Sequence, residues 1–192
     1  ELIKSHFPDA LISIDTFRSE VAAVALRAGA TIVNDISAGT LDPKMIDFIT
    51  ANQVPYIAMH MRGNPENMQK LAKYTDIIPD ILFYFSQLID RLRDKGHTDL
   101  IIDPGFGFAK TTEQNFEILA HLELFKNLES IILVGLSRKS MIYKTLETDP
   151  SEALNGTTVL NTLALSKGAD ILRVHDVRPA VEAIKLTKKI LT

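Results

Sequence analysis

Leu100-Ile101-Ile102-Asp103-Pro104-Gly105-Phe106-Gly107-Phe108-Ala109-Lys110 is the stretch that decides the fold of this 192-residue chain. Three aliphatic residues in an unbroken run read as a strand buried on both faces. The run stops at a carboxylate. The Pro and the two Gly that follow demand a tight turn. Thr111 or Thr112 then caps a helix that runs to about Leu122, with Glu113 in its first turn. Buried strand, polar tip, turn and helix together make one βα unit.

Five more runs repeat the pattern. Leu11-Ile12-Ser13-Ile14 ends in Asp15, Thr31-Ile32-Val33 in Asn34-Asp35, and Tyr56-Ile57-Ala58-Met59 in His60. Ile131-Ile132-Leu133-Val134 ends in Gly135-Leu136-Ser137, and Ile171-Leu172-Arg173-Val174 in His175-Asp176. Helical spacing of apolar residues separates the runs, over 20–28, 43–51, 72–95, 151–166 and 178–191. Gly29, Gly96 and Gly168 stand as stops, Pro43 and Pro179 as first-turn residues, and Ser151 as an N-cap. Alternating β and α elements imply a parallel sheet with right-handed crossovers. All strand C-termini then lie on one edge, and the six polar tips converge there. A doubly wound sheet usually carries a Gly-rich phosphate turn after its first strand, and none is present here. A TIM (β/α)₈ barrel spreads polar tips over all its strands, as here, but needs eight strands and about 250 residues. Only six runs are found, and the last is followed by a closing helix. The expectation is therefore a barrel whose strands 1 and 2 are missing from this chain. Glu1-Leu2-Ile3-Lys4 lacks Met and reads as the end of a helix, so the chain is expected to begin inside a longer protein.

Composition removes several classes. A net charge of −3 offers no nucleic-acid or membrane surface. The absence of cysteine excludes disulfides and thiolate metal sites, and it fits a reducing, cytoplasmic setting. No apolar stretch approaches the roughly 18 residues of a membrane span, and no signal peptide is visible.

The motifs make the reading specific. Asp103 can accept two N–H donors from a planar heterocycle, and the glycines after it let the backbone approach a flat ligand. Gly135-Leu136-Ser137-Arg138-Lys139-Ser140 follows the next strand, Arg173-Val174-His175-Asp176 the last, and Met59-His60-Met61-Arg62-Gly63-Asn64-Pro65 the third. On these motifs, in this order from Ile14-Asp15-Thr16 onward, the chain resembles the dihydropteroate synthase family of pterin-binding enzymes. The resemblance implies one pterin-binding barrel domain over 1–192, N-terminally incomplete. It implies condensation of 6-hydroxymethyl-7,8-dihydropterin diphosphate with 4-aminobenzoate to 7,8-dihydropteroate and diphosphate, in folate biosynthesis. It also implies these roles. Asp15, Asn34 and Asp103 hold the pterin edge, Lys139 reaches its carbonyl side, and Met59 and Gly135 line the slot. Arg173 and His175 hold diphosphate, and Phe108, Ser137 and Lys139 border the aminobenzoate. Lys139, Asp103, Arg173 and His175 are the expected catalytic residues. The implied partners are these small molecules and a second copy of the chain in a homodimer. The implied cofactor is Mg²⁺, with its ligand in the missing N-terminal strand rather than in these residues. Without that strand and two lid loops the chain alone is expected to be inactive.

Simpler readings compete at single positions. Asp35 reads as a structural turn residue, and His60, between methionines, as a core histidine or one that supports the site from behind. Arg138 is a candidate for an ion pair, and Lys110 for an exposed lysine. Arg173 interrupts an apolar run, where an unpaired guanidinium would be costly and so calls for an anion. Two other functions stay open: a methyltetrahydrofolate-binding methyltransferase domain, and a non-catalytic pterin-binding paralogue. The Ser137-Arg138-Lys139-Ser140 and Arg173-Val174-His175 motifs favour the synthase, because a methyltransferase has no diphosphate to bind.

Overall fold

The six apolar runs form six parallel strands, each hydrogen-bonded to its neighbour in sequence: β1 (Ser13–Asp15), β2 (Ile32–Asp35), β3 (Tyr56–Met59), β4 (Leu100–Asp103), β5 (Ile131–Val134) and β6 (Ile171–Leu172). The structure, a computed structural model, describes residues 1–64 and 66–191. A doubly wound sheet reverses its strand order at a switch point. The order β1-β2-β3-β4-β5-β6 contains no reversal and is that of a (β/α)₈ barrel, of which six of the eight strands are built here.

Register settles which side chains share a face. Cα partners in a parallel ladder point the same way, and the direction alternates along each strand. Asp15, Asn34, Ile57, Ile101 and Ile131 form one lateral row. Met59 and Asp103 pair one layer further toward the strand ends. Ile57, Ile101 and Leu133, with Ile32 against them, form a small apolar cluster of their own on this inner face. The opposite face carries Val33, Tyr56, Ala58, Ile102, Ile132 and Val134 into the main core beneath the helices.

The helices are α1 (Leu2–His6), α2 (Ser19–Arg27), α3 (Met45–Asn52), α4 (Ile77–Asp94), α5 (Thr112–Ala120), α6 (Ser140–Thr145), α7 (Leu154–Ser166) and α8 (Val177–Leu191). On α4, Ile78, Ile81, Phe85, Leu88, Ile89 and Leu92 are buried at helical spacing. This helix starts at Ile77 rather than Ala72, and Pro79 explains why. At the third helical position its missing N–H is one the helix leaves unbonded in any case, whereas a start at residue 72 would put the ring in the interior. A 3₁₀ turn, Met68–Leu71, precedes it. Thr111 caps α5 by accepting from the Gln114 amide, and the Gln114 side chain returns to the Thr111 amide as a full capping box. Ser151 caps no helix. Its hydroxyl donates to Asp149, and α7 begins at Leu154. The short α6 breaks no apolar run and has no periodic signature in the sequence. It forms because Met141 and Ile142 are buried. No helix among the described residues is long and apolar enough to cross a membrane.

Candidate active site at the strand ends

The site is set by how the loop after β4 returns on the sheet. Gly105 has φ +74°, and a Cβ there would lie 2.1 Å from the His60 carbonyl oxygen, so only glycine allows the loop to seat on the end of β3. The turn directs the Gly105 N–H back to Asp103 Oδ1 at 2.8 Å. Asp103 is 2% exposed. Burial pushes its carboxyl above the usual value, opposed by Lys139, the Gly105 amide, Arg173 and Lys110. One carboxylate thus lies in the field of three cations at the inner face of the strand ends.

Lys139 reaches in from the β5 loop. Its ammonium donates to the Phe106 carbonyl oxygen and sits 5.1 Å from the centre of the Phe108 ring. Burial lowers its pKa to about 8, with Asp103 raising it and Arg173 lowering it. Gly107 lies under its stem, 3.4 Å from Lys139 Cδ as measured from an added Cβ. Gly135 is buried at the end of β5, where an added Cβ would stand 3.3 Å from Arg173 Nη2. The guanidinium of Arg173 therefore crosses in front of β5. Ser137 is buried and accepts from the His175 amide at 3.2 Å, and its hydroxyl meets His175 Nδ1 at 3.0 Å. That hydroxyl can donate to Nδ1 while it accepts from the amide, which puts the proton of the neutral ring on Nε2.

All ten residues singled out from the sequence stand at the strand C-termini. Asp15, Asn34, Met59 and Asp103 share the inner face, Phe108 and Lys139 meet, Gly135 meets Arg173, and Ser137 meets His175. One expectation about burial is overturned: Lys110 is buried, at 4% exposure, because the loop it ends folds over it. Arg173 lies beyond the two-residue β6, at the open edge of the six-stranded sheet, and is exposed there. The structural readings of Asp35, His60 and Arg138 hold. Asp35 accepts from Ser37, Gly39 and Tyr56 on the helix side. His60 packs at 4.9 Å from the Tyr84 ring and stays neutral, its pKa lowered to about 2 by burial and by Lys110. Arg138 forms a two-pronged pair with Asp176 at 2.8 and 3.0 Å and also donates to the Pro150 and Ser151 carbonyls. Asn115 escaped the sequence reading. Its Oδ1 accepts from the Gly107 amide at 2.7 Å, and its one signal is a buried-side position in the first turn of α5. Pro65, the last residue of the β3 motif, lies outside the described residues.

Residues 1–175 match a family model described as pterin binding enzyme. A dihydropteroate synthase of Synechocystis is 46% identical over 181 residues, covering 93% of this chain and 63% of that protein. The Escherichia coli dihydropteroate synthase is 38% identical over 194 residues, covering all of this chain and 68% of its own length. Among solved structures, Yersinia pestis dihydropteroate synthase with a sulfonamide drug complex superposes with TM-score 0.93 at 35% identity, over 98% of this chain and 69% of that one. Xanthomonas albilineans dihydropteroate synthase in complex with 7,8-dihydropteroate gives 0.87 at 33% identity, over 95% and 67%. The chain thus spans about two thirds of the length of these relatives. Across that span, sequence and fold agree that it belongs to the family of pterin binding enzymes.

Proposed function

We propose that the protein containing this chain is a dihydropteroate synthase, joining 6-hydroxymethyl-7,8-dihydropterin diphosphate to 4-aminobenzoate. One observation carries the reading: a buried carboxylate, Asp103, on the inner face of the strand ends with Lys139 and Arg173 acting on it. The Xanthomonas albilineans relative was solved with the product of that reaction.

In this reading the pterin lies flat over the inner row. Asp103, Asn34 and Asp15 accept from its N–H edge, with Met59 and Gly135 as the floor. Lys139 donates to the pterin carbonyl side. Arg173 and the Nε2–H of His175 take the diphosphate, the former as a fork of donors. The C–O bond to diphosphate breaks with both electrons leaving on oxygen, and the pterin CH₂ becomes cationic. The aminobenzoate nitrogen, held along Phe108, Ser137 and Lys139, attacks that carbon and sheds one proton to solvent or diphosphate. No protein nucleophile is needed. Positioning and charge stabilisation supply the rate.

Mg²⁺ on the diphosphate belongs to the same proposal, with its ligand expected outside these residues. Among the described residues no three His, Cys, Asp or Glu side chains group together. A homodimer in the cytoplasm is likewise proposed. It is supported by apolar side chains left exposed on α7, such as Val159 and Leu163.

The deciding assay is condensation of labelled 4-aminobenzoate with the dihydropterin diphosphate by the full-length protein in Mg²⁺. Dihydropteroate formation is expected. A folded protein that forms no product and shows no diphosphate-dependent aminobenzoate binding would overturn the reading and favour a methyltransferase domain or a binding paralogue.

A further inference from the structure

The pterin site rests on a cation that does not face it. We propose that Lys110 is a positioning residue, pinning the 103–110 loop onto the end of β3 so that the loop presents Asp103 and Lys139 at fixed places. The inference rests on the pterin reading above and names the part that keeps its site rigid.

The geometry is that of a clamp. Lys110 Nζ donates to the Gly105 carbonyl at 3.0 Å, the Phe108 carbonyl at 2.9 Å and, more weakly, the His60 carbonyl at 3.3 Å, and it meets His60 Nδ1 at 3.0 Å. Two of these groups belong to the loop and two to the residue after β3. Burying an ammonium is unfavourable unless it is fully bonded. Here His60 accepts through its unprotonated Nδ1, consistent with a ring kept neutral. The loop has other anchors, among them the Phe108 amide, which donates to the Gly105 carbonyl at 3.1 Å. The Gly107 amide is held by Asn115, the Gly105 amide by Asp103, and the Ala109 carbonyl by Tyr74 Oη at 3.0 Å. Gly105, Ala109 and Gly107 all sit at positive φ, so a chain with several competing conformations is being held in one. Lys139 takes its place from that conformation, since it bonds the Phe106 carbonyl and lies over the Phe108 ring. Lys110 also acts on Asp103 through space. Removing the amine should loosen the loop first, and through it the pterin contacts.

The test uses Lys110→Cys in the full-length protein. The 192 residues hold no cysteine, and any outside them is first changed to serine. Aminoethylation of the unfolded variant, followed by refolding, rebuilds a side chain of lysine length with its ammonium. The first readout is hydrogen exchange at Gly105, Gly107 and Phe108 without ligand. Exchange should be about tenfold faster or more in the cysteine variant and return on aminoethylation, with Ile101 and Ile102 unchanged throughout. The second is dihydropterin affinity, which should fall by about tenfold and recover in parallel. Loop amides as protected as in the parent would overturn the clamp. So would a loosened loop with dihydropterin affinity kept within about twofold, or loss of protection that aminoethylation leaves unrepaired. If the parent protein itself binds no dihydropterin, the functional reading fails, while the exchange data still decide whether Lys110 clamps the loop.

Discussion

Asp103 ends β4 and is buried, whereas Arg173 follows β6 and is exposed, although both stand on the same edge of the same sheet. Around Asp103 the surroundings are dry and cross-braced: Asn34, Met59 and Lys110 are buried, and the loop is bonded at both ends. Around Arg173 and His175 the groups are exposed at the open edge of the sheet, His175 held by Ser137 and the turn backed by the Arg138–Asp176 pair. In the proposed function the heterocycle meets two acceptors shielded from water, Asn34 and Asp103, and a third, Asp15, that is exposed at the other open edge of the sheet. A polyanion is recognised by donors that stay solvated until it arrives, because their charge is never paid for by burial. In the proposed function one rim serves two chemistries, with buried groups for the heterocycle and, at the open edge of the six-stranded sheet, solvated groups for the diphosphate.

That division can be broken by substitution. Asp103→Asn should produce the largest effect, a loss on the order of 10²–10³-fold in kcat/KM for condensation. Lys139→Ala should fall in the same range. Steady-state rates on folded variants decide it, and near-normal turnover would remove these residues from the mechanism. Arg173→Ala should act on one substrate portion alone. Affinity for the dihydropterin diphosphate should drop by about tenfold or more, and that for a dihydropterin without diphosphate should not change. Equal losses for both ligands, measured by titration, would show that the two regions are not separate.

The smallest effect concerns pH and sharpens the contrast in burial. Burial lowers the Lys110 pKa from 10.5 to about 7 and that of Lys139 from 10.5 to about 8. Between the folded and unfolded values the unfolded chain binds more protons, so stability rises with pH across that interval. The Tyr56 and Tyr84 hydroxyls, raised by burial, oppose this only above their ordinary value of 10.0. His60 and His97 act below 6.5. Thermal unfolding should therefore move to higher temperature from about pH 7 to about pH 9.5, and Lys110→Met should flatten the lower part of that rise. A parent Tm that falls over this range would contradict the buried cations.

Much of this molecule is legible one residue at a time. Unbroken aliphatic runs of three or four residues can satisfy burial on both faces only as parallel strands, and the groups that end them must then meet at one edge. That logic fixed the six strands, their direction, and the positions of Asp15, Asn34, Asp103 and His175 from the chain alone, whereas Lys139 and Arg173 entered through motifs that resemble a family. Helix starts were less legible, since α4 is placed by Pro79 and α7 by a turn around Asp149 rather than by periodicity. Depth was not legible at all. Lys110 ends the loop after β4 and Arg173 directly follows β6, yet one is sealed among carbonyl groups and the other stands exposed at the open edge of the sheet. Burial of a long side chain depends on how the loop folds back over it. Here that was decided by the contact of Gly105 with the His60 carbonyl, a meeting of segments 45 residues apart (105 − 60) that no local pattern encodes.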